Sequence, residues 1–208
     1  MTFLVKISLW VLFRLTLFLN KLVKIIRELV PLNHFSKKII DFLLFPSDFL
    51  FLLTKYKRVF GSYPNIFYPS TFNEKLLVSK LLGRNKKNIS LADKLEVKKI
   101  VSNSIGNKYV TKTLWSGSCL NDAQDLKEML PNKFIIKVNH GSGGNIICFD
   151  KNSFDWEGSI RKIDKLLNKD YSLKGEWQYR WIKPRVFIEE LFLDDDLKIP
   201  NDYKFFCF

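Results

Sequence analysis

The most informative part of the chain is the stretch Phe134-Ile-Ile-Lys-Val-Asn-His-Gly-Ser-Gly-Gly-Asn-Ile-Ile-Cys-Phe149. Alternation of apolar side chains predicts a strand over 134–138, with Lys137 on the face opposite Ile136. A second strand is predicted over 145–149. An ammonium group buried within an apolar strand is costly when it has no partner. Either an acidic residue or a bound anion must therefore compensate Lys137.

Four small residues follow the first strand, Gly141-Ser142-Gly143-Gly144. Glycines permit positive φ and close backbone approach, so successive N–H groups can point at one anion. This is not a Walker P-loop, because no Lys-Ser/Thr follows the glycines and a strand comes next. A glycine flap with Lys137 on the incoming strand suits a nucleotide phosphate, and an ordinary hairpin turn is the alternative.

The remaining body shows mixed helical and strand patterns. A capping box at 71–74 starts a helix that ends at Gly83, and Asp93 starts another that Gly106 closes. Further helices are predicted over 122–130 and 157–168, and further strands over 108–115, 186–192 and 203–208. This mixture indicates an α/β or α+β body.

Composition excludes several classes of protein. The chain has 208 residues, of which 47% are hydrophobic, so it can bury a core and is not intrinsically disordered. Its three cysteines are widely spaced, which predicts neither a disulfide framework nor a cysteine zinc site and favours a reducing compartment. The net charge is +13, and residues 1–40 hold seven basic residues against one acidic residue. A basic arm with an anionic partner is therefore indicated.

Residues 1–30 have the pattern of a cationic amphipathic helix, with basic and apolar side chains on opposite faces. Such a helix lies on an anionic membrane surface, and packing on protein or a true membrane span are the alternatives. Pro46 is predicted to end one helix and start another near Ser47. We place the domain boundary near residue 62, with a basic, amphipathic, membrane-associating helical arm over 1–61 and a body over 62–208.

The order of the motifs resembles the TupA-like branch of the ATP-grasp superfamily, which is associated with teichuronopeptide and other cell-envelope polysaccharide biosynthesis. The resemblance covers about residues 65–208, and the Lys-Val-Asn-His-Gly-Ser-Gly block is its most specific part. The motifs that carry it are 71–75, 93–94, 134–143, 188–191 and 202–205.

The resemblance implies an α+β, ATP-grasp-like fold and an ATP-dependent carboxylate–amine ligase that forms an acyl phosphate, with ATP and Mg²⁺ as cofactors. Lys94 and Lys137 would contact the ATP phosphates, with Lys204 as a weaker phosphate contact. The flap over the phosphates would be formed by Gly141, Ser142, Gly143 and Gly144. The border of the adenine and ribose would be formed by Glu189, Glu190 and Leu191.

The chain departs from the family at its end, because Lys204-Phe-Phe-Cys-Phe208 looks like an unfinished strand. The family places its Mg²⁺ ligands on later strands. We therefore expect a truncated body, incomplete at the C-terminus, with no metal ligands in this chain and little activity alone. The expected location is cytoplasmic, peripheral at the inner membrane face, with a polysaccharide or lipid-linked saccharide as acceptor.

Two other functions compete with the ligase. A glycosyltransferase would use a paired-aspartate metal motif, which Asp194 and Asp196 match only formally, since a solvated turn also explains them. A non-catalytic basic module would bind nucleic acid through its charge and aromatics, but nearly half of the excess charge lies within residues 1–40, so no nucleic acid is expected. The aromatic and basic residues of 171–185 indicate either packing or contact with an acidic sugar.

Overall fold

The computed structural model describes residues 33–195 and 198–205, together with the single positions 11, 14, 18, 21, 22 and 25. Within this part of the chain the fold mixes α-helices with one small antiparallel sheet, so the expected α+β class is confirmed. The chain forms two compact units. Unit 1 comprises Met1–Ile89 with Asp170–Trp181, and unit 2 comprises Ser90–Lys169 with Ile182–Phe208. The boundary that we place near residue 62 falls inside unit 1 and stays a prediction.

Helix α1 (His34–Phe60) shows that the predicted break at Pro46 is wrong. The helix continues through the proline because side chains on both sides of it are held in unit 1. Leu44, Asp48 and Leu52 are buried, and their spacing of four residues places them on one face of the helix. Packing of this face offsets a proline cost of about 3 kcal/mol.

Helix α2 (Phe72–Leu82) begins with the predicted capping box and ends at the predicted glycine, Gly83. The Thr71 hydroxyl accepts a hydrogen bond from the Glu74 backbone N–H, and the Glu74 carboxylate accepts one from the Thr71 N–H. Leu77 and Leu81 of this helix are buried in a cluster with Leu52 of α1. Helix α3 (Lys86–Ala92) follows.

Unit 2 is built on a four-stranded antiparallel sheet. Its strands are β1 (Thr113–Gly117), β2 (Phe134–Val138), β3 (Ile146–Cys148) and β4 (Val186–Glu190), in the order β1-β4-β2-β3. The predicted bounds of β2 are confirmed, and the predicted strands over 145–149 and 186–192 form over shorter ranges. The register pairs Ile135 with Glu189 and Lys137 with Phe187. The lysine and the glutamate therefore share one face of the sheet.

The opposite face of the sheet carries the apolar core of unit 2. Helix α5 (Trp156–Leu167), predicted over 157–168, packs on this face through the buried side chain of Ile163. The segment predicted as a helix over 122–130 is a 3₁₀ helix, Leu120–Met129, and also contributes to the core. The buried strand residues of this core are Phe134, Ile136, Val138, Cys148, Val186 and Ile188.

Two predicted strands differ from the structure. The strand expected over 108–115 begins only at Thr113, because a 3₁₀ turn at Asn107–Tyr109 occupies its start. No strand forms at 203–205, where the described backbone has no pairing partner and the side chains are exposed. Residues 206–208 lie outside the described part of the chain, as does most of the helix predicted over 1–30.

The aromatic residues of 171–185 are predicted either to pack or to bind a sugar, and unit 1 decides between these alternatives for two of them. Trp177 and Trp181 lie in a buried cluster with Leu44, so these two side chains pack. Among the described helices, none combines the length and the apolar character required to cross a bilayer.

Candidate functional site

The site is built around helix α4 (Lys94–Ile105), whose first turn is fixed to the end of β2. The predicted cap is confirmed, since Asp93 accepts hydrogen bonds from the backbone N–H groups of Leu95 and Glu96. The second carboxylate oxygen of Asp93 accepts a bond of 3.0 Å from the Asn139 side chain, and the Lys94 N–H donates to the Asn139 carbonyl. The start of α4 therefore has a fixed position beside β2.

Lys94 extends from this turn towards the sheet. Its ammonium donates a hydrogen bond of 2.9 Å to the Val138 carbonyl oxygen. No carboxylate of the described residues lies within ion-pair distance of it. Burial lowers the pKa of Lys94, and the positive charge of Lys137 lowers that pKa further, against a smaller opposing effect of Glu189. Lys94 is therefore a cation placed where its charge is costly.

Glu189 provides the compensation that Lys137 requires. The Lys137 ammonium donates to Glu189 Oε1. The Lys98 ammonium lies 2.6 Å from Glu189 Oε2, which also accepts a bond of 3.1 Å from the Thr111 hydroxyl. Of the two alternatives left open for Lys137, the structure shows the acidic residue.

Glu189 is ionised despite its burial. Only 4% of its surface is exposed, and this burial is the largest single influence on its pKa, in the upward direction. The hydrogen bonds and charges of Lys137 and Lys98 together outweigh burial, so the pKa lies below its usual range. The carboxylate is therefore a fixed negative charge between two lysines.

We call Lys94, Lys98, Lys137 and Glu189 the basic cluster. It holds three positive charges and one negative charge in a partly buried position. The two lysines bonded to Glu189 keep part of their side chains accessible to solvent. A ligand with phosphate or carboxylate groups would supply the missing negative charge and would be bound by charge-assisted hydrogen bonds. The chemistry that this arrangement supports is the binding of an anion.

The glycine loop lies next to the basic cluster in the chain, between β2 and β3. Gly141, Gly143 and Gly144 have φ values of 95°, 77° and 76°, which other residues rarely adopt. A Cβ atom on Gly144 would also lie 2.6 Å from the Leu166 side chain. The predicted glycine chemistry of this turn is therefore present.

Asn139 positions the start of this loop. It is fully buried, its side chain donates to the Lys183 carbonyl, and its side-chain oxygen accepts a bond of 2.7 Å from the Arg185 N–H. These bonds join the end of β2 to the residues just before β4. The loop therefore leaves the sheet from a fixed point beside Lys94.

A cleft of about 600 Å³ opens beside the basic cluster. Lys98 and Thr111, which both contact Glu189, line it, and its size is in the range of small-molecule sites. Its other polar lining includes Lys112, Ser116 and Arg185. Lys98 is therefore the member of the basic cluster that lines this concave surface.

The structure brings together only some of the residues predicted to bind ATP. Lys94, Lys137 and Glu189 belong to the basic cluster, and Gly141 to Gly144, including Ser142, form the adjoining loop. Within the described chain, no hydrogen bond or ion pair joins Glu190, Leu191 or Lys204 to the cluster. Glu190 lies 4.0 Å from the Lys112 ammonium, Leu191 follows the end of β4, and Lys204 is exposed.

Sequence reasoning missed two residues of the site, Lys98 and Thr111. A signal for Lys98 exists, because it follows Lys94 by four residues and therefore lies on the same face of α4. No comparable signal identifies Thr111, which reaches Glu189 across 78 residues of sequence.

A magnesium site does not emerge from the same region. Within residues 33–195 and 198–205, no three His, Cys, Asp or Glu side chains lie close enough to hold a metal ion.

Comparison with known proteins gives one finding about family. A family model described as TupA-like ATPgrasp matches residues 74–208. The matched region contains the basic cluster and the glycine loop, and it confirms the resemblance read from the motifs. No curated protein and no solved structure matches the chain.

Proposed function

This chain belongs to the TupA-like ATP-grasp family, and on that premise we propose that its basic cluster binds the phosphates of ATP. The observation that carries the proposal is the charge of the cluster, in which Lys98 and Lys137 bind the single carboxylate and Lys94 adds a third positive charge. Lys94 has a carbonyl oxygen as its hydrogen-bond partner, so an anionic phosphate would relieve the cost of its burial.

The proposed reaction is the ATP-dependent joining of a carboxylate to an amine. A carboxylate oxygen of the substrate attacks the terminal phosphorus of ATP, ADP leaves, and an acyl phosphate forms. The amine nitrogen then attacks the acyl carbon, phosphate leaves, and the nitrogen gives up a proton to complete the amide. Lys94 and Lys137 stabilise the negative charge on the transferring group.

The glycine loop would cover the phosphates while the cleft beside Lys98 gives access to the cluster. The family generally uses Mg²⁺ with ATP, and the described residues contain no group of three metal-ligating side chains. In the proposed reaction Lys94 and Lys137 provide the charge stabilisation. Glu190, Leu191 and Lys204 are retained only as proposed contacts, on the strength of the family motifs.

The proposed pathway is cell-envelope polysaccharide biosynthesis, with a polysaccharide or a lipid-linked saccharide as acceptor. We place the protein at the inner membrane face, held by an anionic lipid surface through residues 1–30. The support is the family and the seven basic residues against one acidic residue in 1–40. The family match favours the ligase over the glycosyltransferase and the nucleic-acid module.

The decisive experiment measures ATP binding to the full chain by isothermal titration calorimetry. We expect Lys137→Met to weaken binding about tenfold or more, because a charge-assisted hydrogen bond is worth about 1.5–3 kcal/mol. Lys165→Met, an exposed lysine of α5, is the matched control for the loss of one charge. Equal affinity in wild type and Lys137→Met, with circular dichroism showing both folded, would overturn the proposal.

A further inference from the structure

Helix α1 carries a strip of exposed apolar side chains that its packing leaves uncovered. Phe35 and Phe42 are 71% and 78% exposed, and Ile39 and Leu43 are 45% and 58% exposed. Their positions, at intervals of three, four or one residues, place all four on one side of the helix. We call these four residues the apolar strip.

The other side of α1 is attached to unit 1. Leu44 and Asp48 are buried there, and Asp41 binds the buried guanidinium of Arg180 at 2.9 Å. The helix is therefore fixed through one face, and the apolar strip faces away from that attachment. An exposed surface of this kind is typical of an interaction site.

The charges on α1 have one sign where they are accessible. Its two carboxylates, Asp41 and Asp48, both bind Arg180. The exposed charged side chains of the helix are all basic, namely Lys38, Lys55, Lys57 and Arg58. The helix therefore presents apolar and cationic groups with no exposed carboxylate.

The described positions before α1 show the same combination in unit 1. Each of these six positions is helical and exposed. Four are apolar and two are basic, as follows: Val11, Arg14, Phe18, Lys21, Leu22 and Ile25. Exposed apolar groups beside cations therefore occur twice in this unit.

We infer that the apolar strip of α1 docks on an anionic lipid surface. The phenylalanine and aliphatic side chains enter the boundary between headgroups and acyl chains, and Lys38 lies near the lipid phosphates. A second copy of the chain suits the strip less well, because a stable protein interface takes about 20–30 residues from each partner. The inference rests on the membrane association proposed for the arm and assigns to it a second contact, at 35–43, in addition to the one at 1–30.

The test measures sedimentation of the full chain with vesicles of phosphatidylcholine containing one part in three of phosphatidylglycerol. We expect Phe35→Ser with Phe42→Ser to lower the partition coefficient about tenfold or more, since two large apolar side chains lose their burial. Phe67→Ser with Tyr68→Ser is the matched control, because those aromatics of unit 1 are 89% and 82% exposed but lie outside α1. The control is expected to bind as wild type.

Three outcomes would overturn the inference. These are unchanged binding of the α1 variant, an equal loss in the control variant, and a wild-type dimer in light scattering that the α1 variant dissociates. Arg14→Glu with Lys21→Glu tests the contact at 1–30 separately. The α1 variant is expected to bind ATP with the affinity of wild type. Vesicle binding and ATP binding are therefore separate measurements, and failure of the ATP proposal would not change the result expected with vesicles.

Discussion

The two units of the molecule each bury an ionic cluster, and the two clusters differ in charge balance. In unit 1, Arg180 lies between Asp41 and Asp48, and Arg84 binds Asp48 at 2.7 Å, so two cations meet two anions. In unit 2, the basic cluster sets three lysines against Glu189. The first arrangement is neutral and closed, whereas the second keeps an excess of positive charge beside a cleft.

The pKa values of the buried carboxylates Asp41 and Glu189 are shifted in opposite directions. Burial raises the pKa of Asp41, and the charge of Arg180 with the hydrogen bond from Trp181 does not reverse that rise. Burial also acts upward on Glu189, but its two lysines outweigh it and the pKa is lowered. A balanced ion network serves structure, and an unbalanced one leaves charge available for a ligand.

Breaking the balanced cluster should give the largest loss of stability. Arg180→Met removes the buried guanidinium that binds both Asp41 and Asp48, so we expect the free energy of unfolding to fall by about 3–5 kcal/mol. Urea unfolding followed by circular dichroism measures it. Arg58→Met, an exposed arginine at the end of α1, should stay close to wild type. A similar stability for both variants would show that the Arg180 network is not structural.

Removing the carboxylate of the basic cluster should lower the free energy of unfolding by less than Arg180→Met does. At neutral pH we expect Glu189→Gln to lower the free energy of unfolding by about 2 kcal/mol, because two lysines lose their partner. The folded-state pKa of Glu189 is lowered below 4.5, so its contribution is complete above pH 4.5 and is lost as pH falls through the folded value. The difference in free energy of unfolding between wild type and Glu189→Gln should therefore become smaller at acid pH.

Glu190→Gln is the matched control for that experiment, because this adjacent glutamate is exposed. The free energy of unfolding of Glu190→Gln should equal that of wild type at every pH. A gap for Glu189→Gln that stays constant from pH 7 to 3 would contradict the assigned charge state.

Removing a lysine from the unbalanced cluster should affect binding without loss of stability. Lys94→Met is expected to weaken ATP binding about tenfold and to leave the free energy of unfolding unchanged or raised. The pKa of Lys94 is lowered in the folded state, so its charge opposes folding at neutral pH and this cost disappears as pH rises towards 10.5. Calorimetric titration and urea unfolding at pH 7 and 10 test both parts.

An effect confined to acid pH is expected at Glu74, where backbone N–H groups compensate the charge. The Glu74 carboxylate accepts hydrogen bonds from the backbone N–H groups of Asn65, Thr71 and Ser70, which lower its pKa to about 2. Its contribution to stability is present above pH 4.5 and is lost as pH falls through 2. In a plot of Tm against pH, Glu74→Gln should reduce the fall of Tm below pH 4.5. Exposed Glu157→Gln should leave that fall as in wild type. If Tm falls equally with pH in wild type and in Glu74→Gln, the assigned contribution of the Glu74 carboxylate is contradicted.

Local patterns predicted local structure well. The alternation of Phe134 to Val138 gave the bounds and faces of β2, and the residues at 71–74 gave the cap of α2. In both cases the physical cause lies within a few neighbouring residues. The glycine loop was located for the same reason, because three positive φ values require glycine.

Contacts between distant residues could not be predicted from one sequence. Lys137 and Glu189 are 52 residues apart, and the sheet register brings them together. The break predicted at Pro46 was wrong because Arg180, more than 130 residues later, holds the helix on both sides of the proline. Tertiary contacts of this kind override a local preference and leave no local pattern.

The position of Arg180 in the chain has a consequence during synthesis. Unit 1 is completed by the segment Asp170–Trp181, and Arg180 is made 132 residues after Asp48. At ordinary translation rates that interval lasts roughly ten seconds. A nascent α1 therefore waits on the ribosome for the guanidinium that binds both Asp41 and Asp48, so the N-terminal part of unit 1 stays incomplete until most of the chain has been made.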